Sequence, residues 1–161
     1  MSERWNVIAT TIVERLKEQH QTVSAAESCT GGLLCAALTG VPGASDAFPG
    51  GTVAYSSEVK RRMGVLEANL RDDAVNADCA KNLADLTAEA HGTTFAIGIT
   101  GVAGPGGGKP GIPVGTVYIG WHTPEGTLTR HFCFSGTREE VRAQAVSAAL
   151  EELLRLLPPA A

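Results

Sequence analysis

Three stretches of the chain carry apolar residues at helical spacing. They predict helices over residues 4–19, from the N-cap Asn76 to Gly92, and over 135–157. Two shorter helices are expected, one from near Thr30 to Gly40 and one over 57–64. The apolar positions are, in chain order, Val7, Ile8, Ile12, Val13 and Leu16, then Leu83, Leu86 and Ala90, then Val141, Ala145, Ala149, Leu153 and Leu156.

Shorter apolar segments between these helices predict strands. Segments 22–26, 51–56 and 94–100 are candidates, and 94–100 is nearly all apolar, as expected when both faces of a strand are covered. Segments 114–122 and 127–134 flank a short turn and predict a hairpin. Because helices and strands alternate early and the hairpin comes late, the pattern predicts a three-layer α/β/α sandwich with a mixed sheet, as a single domain over 1–161.

Composition and charge narrow the class of protein. Apolar residues make up 43% of the 161 residues and charged residues 19%, which is typical of a soluble globular domain. The apolar runs are too short to span a bilayer, and the first residues lack the features of a signal peptide, so we expect a cytoplasmic protein with no membrane partner. A net charge of -4 argues against direct binding of nucleic acid, although a local cationic pocket for a small anion remains compatible with it.

The four cysteines and four histidines are scattered along the chain. No pair has the spacing of a zinc or redox motif, so no metal site is expected.

A glycine-rich segment, "GVAGPGGGKPGIP" over 101–113, follows the strand predicted at 94–100. The Walker A pattern fails because Pro110 follows Gly108 and Lys109, and the dinucleotide fingerprint fails because the same proline interrupts it. Two interpretations remain: a surface loop, or a cradle of backbone N–H groups for a phosphate or carboxylate. Its place directly after a buried strand favours the cradle, since ligands of open α/β sheets bind beyond the carboxyl ends of strands.

The string "ESCTGG" over 27–32 lies where a predicted strand meets a predicted helix. Such a turn points a side chain and helix N–H groups at a ligand, which makes Ser28 a candidate nucleophile. Gly31 and Gly32 allow a ligand to approach the backbone. In the alternative interpretation Ser28 or Thr30 is simply the N-cap of the helix. The G-x-S-x-G elbow of α/β-hydrolases is absent.

A serine nucleophile needs a base, and no histidine stands in a recognisable place. Lys60 is the best candidate because a buried lysine can lose its charge and accept a proton. In the alternative, Lys60 belongs to a solvated basic cluster with Arg61 and Arg62. The S-x-x-K string that ends at Lys60 also makes Ser57 a rival nucleophile.

Taken together, six strings resemble the CinA C-terminal domain family, in the family's order and over nearly the whole chain. They are "AESCTGGLL" (26–34), "VPG" (41–43), "GGTVAYSSEVK" (50–60), "ITGVAGPGGG" (99–108), "PVGTVYIG" (113–120) and "SGTREEVRAQA" (135–145). The resemblance implies a small-molecule nucleotide substrate: nicotinamide mononucleotide and water would give nicotinic acid mononucleotide and ammonia. It implies a serine–lysine mechanism without metal or cofactor, a homo-oligomer, and the stand-alone form without a molybdopterin-binding-like domain.

Position by position, the resemblance implies that Ser28 is the nucleophile, Lys60 the base and Tyr55 an assisting hydroxyl. The expected substrate-binding residues are Thr30, Gly31, Gly32, Gly104, Gly106, Gly107, Arg138 and Arg142. The family usually has Asn in place of Ser57. Two alternatives stay open: a non-catalytic ligand-binding or regulatory module linked to competence or DNA damage, and hydrolysis of another amide.

Three strings depart from the family's pattern. The usual G-D-R is Gly136-Thr137-Arg138, the usual K-P-V-G is Ile112-Pro113-Val114-Gly115, and the usual G-A-V-S is Asp73-Ala74-Val75-Asn76. Since one cation is missing near the glycine-rich segment, these changes bear on substrate affinity more than on the chemistry.

Overall fold

A mixed sheet of five strands lies at the centre of the computed structural model, which describes residues 3–160. The strand order is β2–β1–β3–β4–β5. The parallel part pairs β1 with β2 and β3, while β3, β4 and β5 are antiparallel neighbours. The strands are β1 (Val23–Glu27), β2 (Gly51–Val53), β3 (Phe95–Gly101), β4 (Thr116–Thr123) and β5 (Gly126–Cys133). The predicted mixed sheet and its late hairpin are therefore confirmed.

Helices cover both faces of this sheet. They are α1 (Glu3–Glu18), α2 (Leu33–Thr39), α3 (Ser57–Met63), α4 (Ala77–His91) and α5 (Arg138–Leu156). Helices α1, α2 and α5 pack on one another and against one face, where the larger core lies, and α4 packs across β1, β3, β4 and β5 on the other. This arrangement is the predicted α/β/α sandwich. Within residues 3–160, no helix has both the length and the apolar character needed to cross a membrane.

Two paired glycines let α4 lie directly on the sheet. Gly98 of β3 and Gly120 of β4 are opposite each other in the register. A Cβ on Gly98 would lie 2.7 Å from the backbone nitrogen of Ala84, and one on Gly120 would lie 2.7 Å from the carbonyl oxygen of Ala80. Any side chain at either position would force α4 away from the sheet.

Two element boundaries differ from the prediction. The helix expected from Thr30 begins at Leu33, because the chain first makes a tight turn in which the N–H of Gly31 donates to the carbonyl of Ser28 (2.9 Å). The strand expected over 51–56 ends at Val53. Beyond it, the backbone leaves the sheet and its carbonyl groups turn towards Lys60.

Two residues of the predicted apolar stripes face solvent. Val7 is 68% exposed and Ala90 is exposed, because the buried faces of α1 and α4 are rotated from the predicted ones. The buried residues are Trp5, Ala9, Ile12, Val13 and Leu16 in α1, and Cys79, Ala80, Leu83, Ala84, Thr87 and Ala88 in α4. Three short 3-10 turns, Ala44–Asp46, Glu67–Leu70 and Asp72–Ala74, were not predicted.

Candidate active site

The carboxyl ends of β1 and β3 meet at one edge of the sheet and open into a small cavity. The two strands are parallel neighbours, so Ser28, directly after β1, and Thr100, near the end of β3, reach the same edge. The cavity measures about 170 Å³. It is lined by Ser28, Cys29, Tyr55, Lys60, Asp73, Thr100, Gly101, Ala103 and Arg138.

Ser28 and Lys60 are in direct contact at the base of this cavity. Both side chains are buried, at 6% and 2% exposure, and the Nζ of Lys60 lies 2.9 Å from the Oγ of Ser28. Lys60 Nζ also donates to the carbonyl oxygens of Ala54 (2.8 Å) and Tyr55 (3.2 Å). Burial disfavours the charged amine and lowers the pKa of Lys60 below its usual range.

The hydrogen-bonding pattern accommodates both the neutral and the protonated amine. A neutral lysine amine has two N–H donors and one lone pair, whereas a carbonyl oxygen only accepts. When the amine is neutral, the carbonyls of Ala54 and Tyr55 take both donors and the lone pair faces the hydroxyl of Ser28; when it is protonated, the third N–H donates to the Ser28 oxygen. The geometry thus aims the accepting side of Lys60 at the proton that a nucleophilic serine must lose.

Helix α3 separates Lys60 from its charged neighbours. The Oγ of Ser56 accepts from the N–H of Val59 (3.1 Å) and caps the helix, which then carries Lys60 inwards. Arg61 faces outwards and pairs with Glu58 and Glu67. The interpretation of Lys60 as part of a solvated cluster is therefore wrong.

Ser57, the rival nucleophile, is the first residue of α3. It is half-buried and is absent from the cavity lining. The hydrogen bonds of Lys60 Nζ in the described structure go to Ser28, Ala54 and Tyr55 rather than to Ser57.

Glu27 caps the helix that follows the Ser28 turn. Its carboxyl group is fully buried, with Oε1 accepting from the N–H of Leu34 (2.9 Å) and Oε2 from the N–H of Cys35 (2.8 Å). The N-cap position itself is Gly32, which has no side chain to contribute. The interpretation of Ser28 or Thr30 as the N-cap is therefore wrong, and the Ser28 hydroxyl is left for Lys60.

Arg142 of α5 holds the Ser28 turn from the opposite side. Its Nε donates to the carbonyl of Cys29 (3.0 Å) and its Nη2 to the carbonyl of Thr30 (3.1 Å). A Cβ on Gly31 would lie 3.0 Å from this guanidinium, and Gly31 has a φ of +56°. The turn thus depends on glycine at this position, and Arg142 contacts its backbone rather than lining the cavity.

Arg138 of α5 connects Tyr55 to the glycine-rich segment. Its Nη1 donates to the carbonyl of Gly104 (2.7 Å) in the glycine-rich segment, and its Nη2 donates to the Oη of Tyr55 (2.8 Å). Thr137, a departure from the family's pattern, is the N-cap of α5 and forms a capping box with Glu140. Arg138 is therefore held at the first turn of a well-capped helix.

The structure brings some of the predicted site residues together and leaves others apart. Ser28, Lys60, Tyr55 and Arg138 line one cavity, and Gly104 touches Arg138. The remaining predicted residues are not part of the lining, with Thr30 fully buried and both Gly106 and Gly107 exposed. The predicted residues outside the lining are Thr30, Gly31, Gly32, Gly104, Gly106, Gly107 and Arg142, and their contact with substrate stays a prediction.

Sequence reasoning missed Cys29, Asp73 and Thr100, which also line the cavity. Thr100 could have been found from its place at the carboxyl end of a buried strand, whereas Asp73 reaches the cavity through an unpredicted turn. Burial raises the pKa of the Cys29 thiol to about 11, so this thiol is protonated at neutral pH and is a poor nucleophile beside Ser28. Across residues 3–160, no cluster of three or more His, Cys, Asp or Glu side chains could hold a metal ion.

This chain is similar to known proteins along most of its length. The family model of the CinA C-terminal domain matches residues 6–157. A CinA-like protein of Thermotoga sp. (strain RQ2) is 39% identical over 148 residues, which cover 91% of this chain and 36% of that protein. The chain thus spans about a third of the length of such relatives.

Two further relatives match along nearly their whole length. The nicotinamide-nucleotide amidohydrolase PncC of Pseudomonas putida is 41% identical over 151 residues, covering 92% of this chain and 94% of that protein. The crystal structure of the competence damage-inducible protein A (ComA) from Klebsiella pneumoniae superposes with a TM-score of 0.91 at 34% identity, covering 95% and 96% of the two chains. The chain belongs to the CinA C-terminal domain family.

Proposed function

We propose that this protein hydrolyses the carboxamide of nicotinamide mononucleotide, giving nicotinic acid mononucleotide and ammonia, with Ser28 as nucleophile and Lys60 as base. The observation that carries the proposal is the 2.9 Å contact between the Ser28 hydroxyl and the buried Lys60 amine. The name of the Pseudomonas putida relative supports the choice of substrate.

In the first step neutral Lys60 takes the hydroxyl proton of Ser28 as Oγ attacks the carboxamide carbon. The protonated amine then has three N–H donors for its three neighbours, the carbonyls of Ala54 and Tyr55 and the serine oxygen. Burial disfavours the positive charge of Lys60 in the free protein. During the reaction this charge is stabilised by the negative charge that develops on the tetrahedral intermediate.

The developing oxyanion needs backbone donors. The N–H of Gly31 already donates to the carbonyl of Ser28, so it is engaged within the turn. Gly101 and Ala103 line the cavity together with Ser28, whereas the N–H of Val102 between them is engaged with the carbonyl of Thr116 (2.8 Å). We therefore assign the oxyanion to backbone N–H groups at the start of the glycine-rich segment.

Tyr55 assists departure of ammonia. Its Oη accepts a hydrogen bond from Arg138 (2.8 Å), which leaves the phenolic proton as a donor towards the cavity. The leaving nitrogen takes a proton relayed from Lys60, the C–N bond breaks, and an ester joins the substrate to Ser28. Water, deprotonated by neutral Lys60, then cleaves this ester and restores the serine hydroxyl.

The cavity is too small to enclose the whole substrate. At about 170 Å³ it is smaller than the range of about 300–1,000 Å³ usual for pockets that enclose a drug-sized ligand. The ring and its carboxamide occupy the cavity, and the ribose phosphate lies at the mouth, where the exposed guanidinium of Arg138 pairs with the phosphate.

Incubation of the pure protein with nicotinamide mononucleotide, followed by an ammonia assay, tests this proposal. We expect ammonia and nicotinic acid mononucleotide in equal amounts, with the same rate after prolonged treatment with EDTA. Ser28→Ala, purified in the same way, controls for a contaminating amidase. Absence of ammonia would favour the non-catalytic alternative, and loss of activity with EDTA that one divalent ion restores would overturn the serine–lysine mechanism.

A further inference from the structure

The turn Asp72–Ala74 has an unusual backbone beside the cavity. Asp72, Asp73 and Ala74 have φ values of +56°, +56° and +65°, although none of them is glycine. The left-handed region is unfavourable for residues with a Cβ, and three consecutive residues rarely share it. Strain of this kind persists where the surrounding structure imposes it, and it is frequent at functional sites.

Neighbouring side chains hold this turn in place. The Oγ1 of Thr100, a residue of the cavity wall, donates to the carbonyl of Ala74 (2.8 Å). The Nδ2 of Asn76 donates to the carbonyls of Asn69 and Arg71, both at 3.0 Å. The turn is thus fastened to the end of β3, and its position relative to Ser28 is set by the cavity wall itself.

The turn places a carboxylate at the cavity. Of the nine residues that line it, Asp73 alone carries a carboxyl group. Its Oδ2 lies 3.3 Å from the Nζ of Lys109 in the glycine-rich segment, and its side chain is 86% exposed. Asp73 thus places a negative charge among the residues that line the cavity.

We propose that Asp73 is a specificity-determining residue whose carboxylate faces the positively charged ring of an N-substituted pyridinium carboxamide. The inference rests on the proposed function and narrows its substrate class. An N-substituted pyridinium ring carries a full positive charge, whereas free nicotinamide and a reduced dihydropyridine ring carry none. With its carboxamide at Ser28, the ring lies in the cavity that Asp73 lines, and the carboxylate stabilises that charge.

Lys109 fits the same arrangement. It belongs to the glycine-rich segment, where its backbone pairs with Ile112 in a tight turn, and its ammonium group pairs with the carboxylate of Asp73. The substrate carries a cationic ring and an anionic phosphate, and this ion pair presents one charge of each sign to it.

Equilibrium binding to Ser28→Ala tests the proposal without turnover. The two probes are nicotinamide mononucleotide and its reduced form at pH 8, which share the ribose phosphate and the carboxamide and differ in ring charge. Added to Ser28→Ala, Asp73→Asn should weaken binding of the cationic probe about two- to fivefold, as expected for loss of a partly screened charge pair, and leave the neutral probe unchanged.

Asp72→Asn is the matched control. Asp72 has the same φ of +56° and the same chemistry, lies one residue away and is not part of the cavity lining. Asparagine tolerates left-handed backbone as aspartate does, so both variants keep the turn. We expect Asp72→Asn to bind both probes as the parent does. Equal weakening of both probes by Asp73→Asn would overturn the proposal, since it would show that Asp73 only shapes the turn.

Two more measurements complete the test. Lys109→Met should preserve the preference for the cationic probe. If this variant loses the preference, Asp73 acts only through Lys109. In the parent, a rising salt concentration should reduce the preference for the cationic probe. This measurement gives a result even if Asp73→Asn does not fold. A preference that does not change with salt would contradict the proposal. Ammonia release by the wild type is measured separately, so an inactive protein refutes the proposed function, and an active one without this preference refutes only the role of Asp73.

Discussion

At the scale of single residues, Lys60 satisfies two opposed requirements. Burial favours its neutral form, yet catalysis needs it to hold a proton for part of each cycle. The carbonyls of Ala54 and Tyr55 serve both forms, because they accept from the amine before and after it gains the proton. Ser28 is the partner whose role changes, from proton donor to acceptor.

The first prediction separates the two candidate serines. Ser28→Ala should lower kcat for ammonia release by about 10³-fold or more, because loss of the nucleophile removes the covalent route. Ser57→Ala should leave kcat almost unchanged, since Ser57 is outside the cavity lining. Steady-state assays with both variants, together with circular dichroism to show that each is folded, make the comparison. An inactive Ser57→Ala beside an active Ser28→Ala would reverse the assignment.

The second prediction concerns Lys60 and pH. Below its lowered pKa the amine is protonated and cannot accept the serine proton, so kcat/KM should rise as the pH increases through that pKa and then level off. Arginine stays protonated at any working pH. Lys60→Arg and Lys60→Ala should therefore be equally inactive between about pH 6 and 10, a window that extends well below the usual lysine value.

Binding of the nucleotide to Lys60→Arg provides the control for that experiment. Retained binding with lost turnover identifies the missing base, because the substrate still reaches the site. If Lys60→Arg keeps much of the activity, Lys60 is an electrostatic anchor and the proposed mechanism is wrong.

At the scale of elements, α2 is capped in a way that leaves the hydroxyl of Ser28 available for catalysis. The N–H groups at its start are satisfied by Glu27 from the preceding strand rather than by a serine or threonine. In Glu27→Gln the amide nitrogen can no longer accept from a backbone N–H, so one buried donor loses its partner. We expect the free energy of unfolding to fall by about 1–3 kcal/mol, measured by urea denaturation.

Glu58→Gln is the control for Glu27→Gln. Glu58 is 55% exposed and pairs with Arg61 on the surface of α3. The same substitution of glutamate by glutamine is therefore made there at an exposed position. It should shift stability by less than about 0.5 kcal/mol, as surface substitutions usually do. Similar losses for both variants would show that the contacts of Glu27 with α2 contribute nothing beyond an exposed ion pair.

Most elements could be predicted from the sequence because each depends on a local pattern. The nearly apolar β3 and the capped helix after Asn76 follow from hydrophobic period and side-chain capping. The turn Asp72–Ala74 could not be predicted, since its left-handed backbone is imposed by Thr100, which lies 26 residues from Ala74. The solvent-facing Val7 was missed because spacing alone does not say which part of an apolar stripe meets the core.

Some parts of the candidate site could be predicted from the sequence, and others could not. Ser28 was found from its place at a strand–helix junction, and Lys60 from its side-chain chemistry. Their contact, across 32 residues of sequence, was implied by the family resemblance rather than by spacing. Asp73 was noted as a departure without a role, because its approach to the cavity depends on the unpredicted turn.

At the scale of the whole molecule, the site depends on how closely α4 lies on the sheet. The smaller core beneath this helix joins Ala26 of β1, Ala54, Cys79 and Leu83. Apolar side chains of α3, the helix that carries Lys60, pack against it. Ala54 contributes the carbonyl that holds this amine. Displacement of α4 would therefore disturb the backbone around Lys60 as well as the packing.

The last prediction tests this coupling through Gly98. In Gly98→Ala the new methyl group meets the backbone of Ala80 and Ala84, which cannot rotate away as a flexible side chain would. We expect the free energy of unfolding to fall by about 1–3 kcal/mol, the usual range for overpacking, and kcat/KM for ammonia release to fall with it. Gly106→Ala is the matched control for stability, because Gly106 has ordinary backbone and no atoms within 4 Å of the added Cβ.

Thermal unfolding and steady-state kinetics on both variants decide the matter. If Gly98→Ala loses stability but keeps full activity, α4 and the Ser28–Lys60 contact are independent, and the site is held by β1, α3 and the glycine-rich segment alone. If both properties fall together while Gly106→Ala keeps its stability, the close packing of α4 on Gly98 and Gly120 is part of what keeps the lysine amine against the serine hydroxyl.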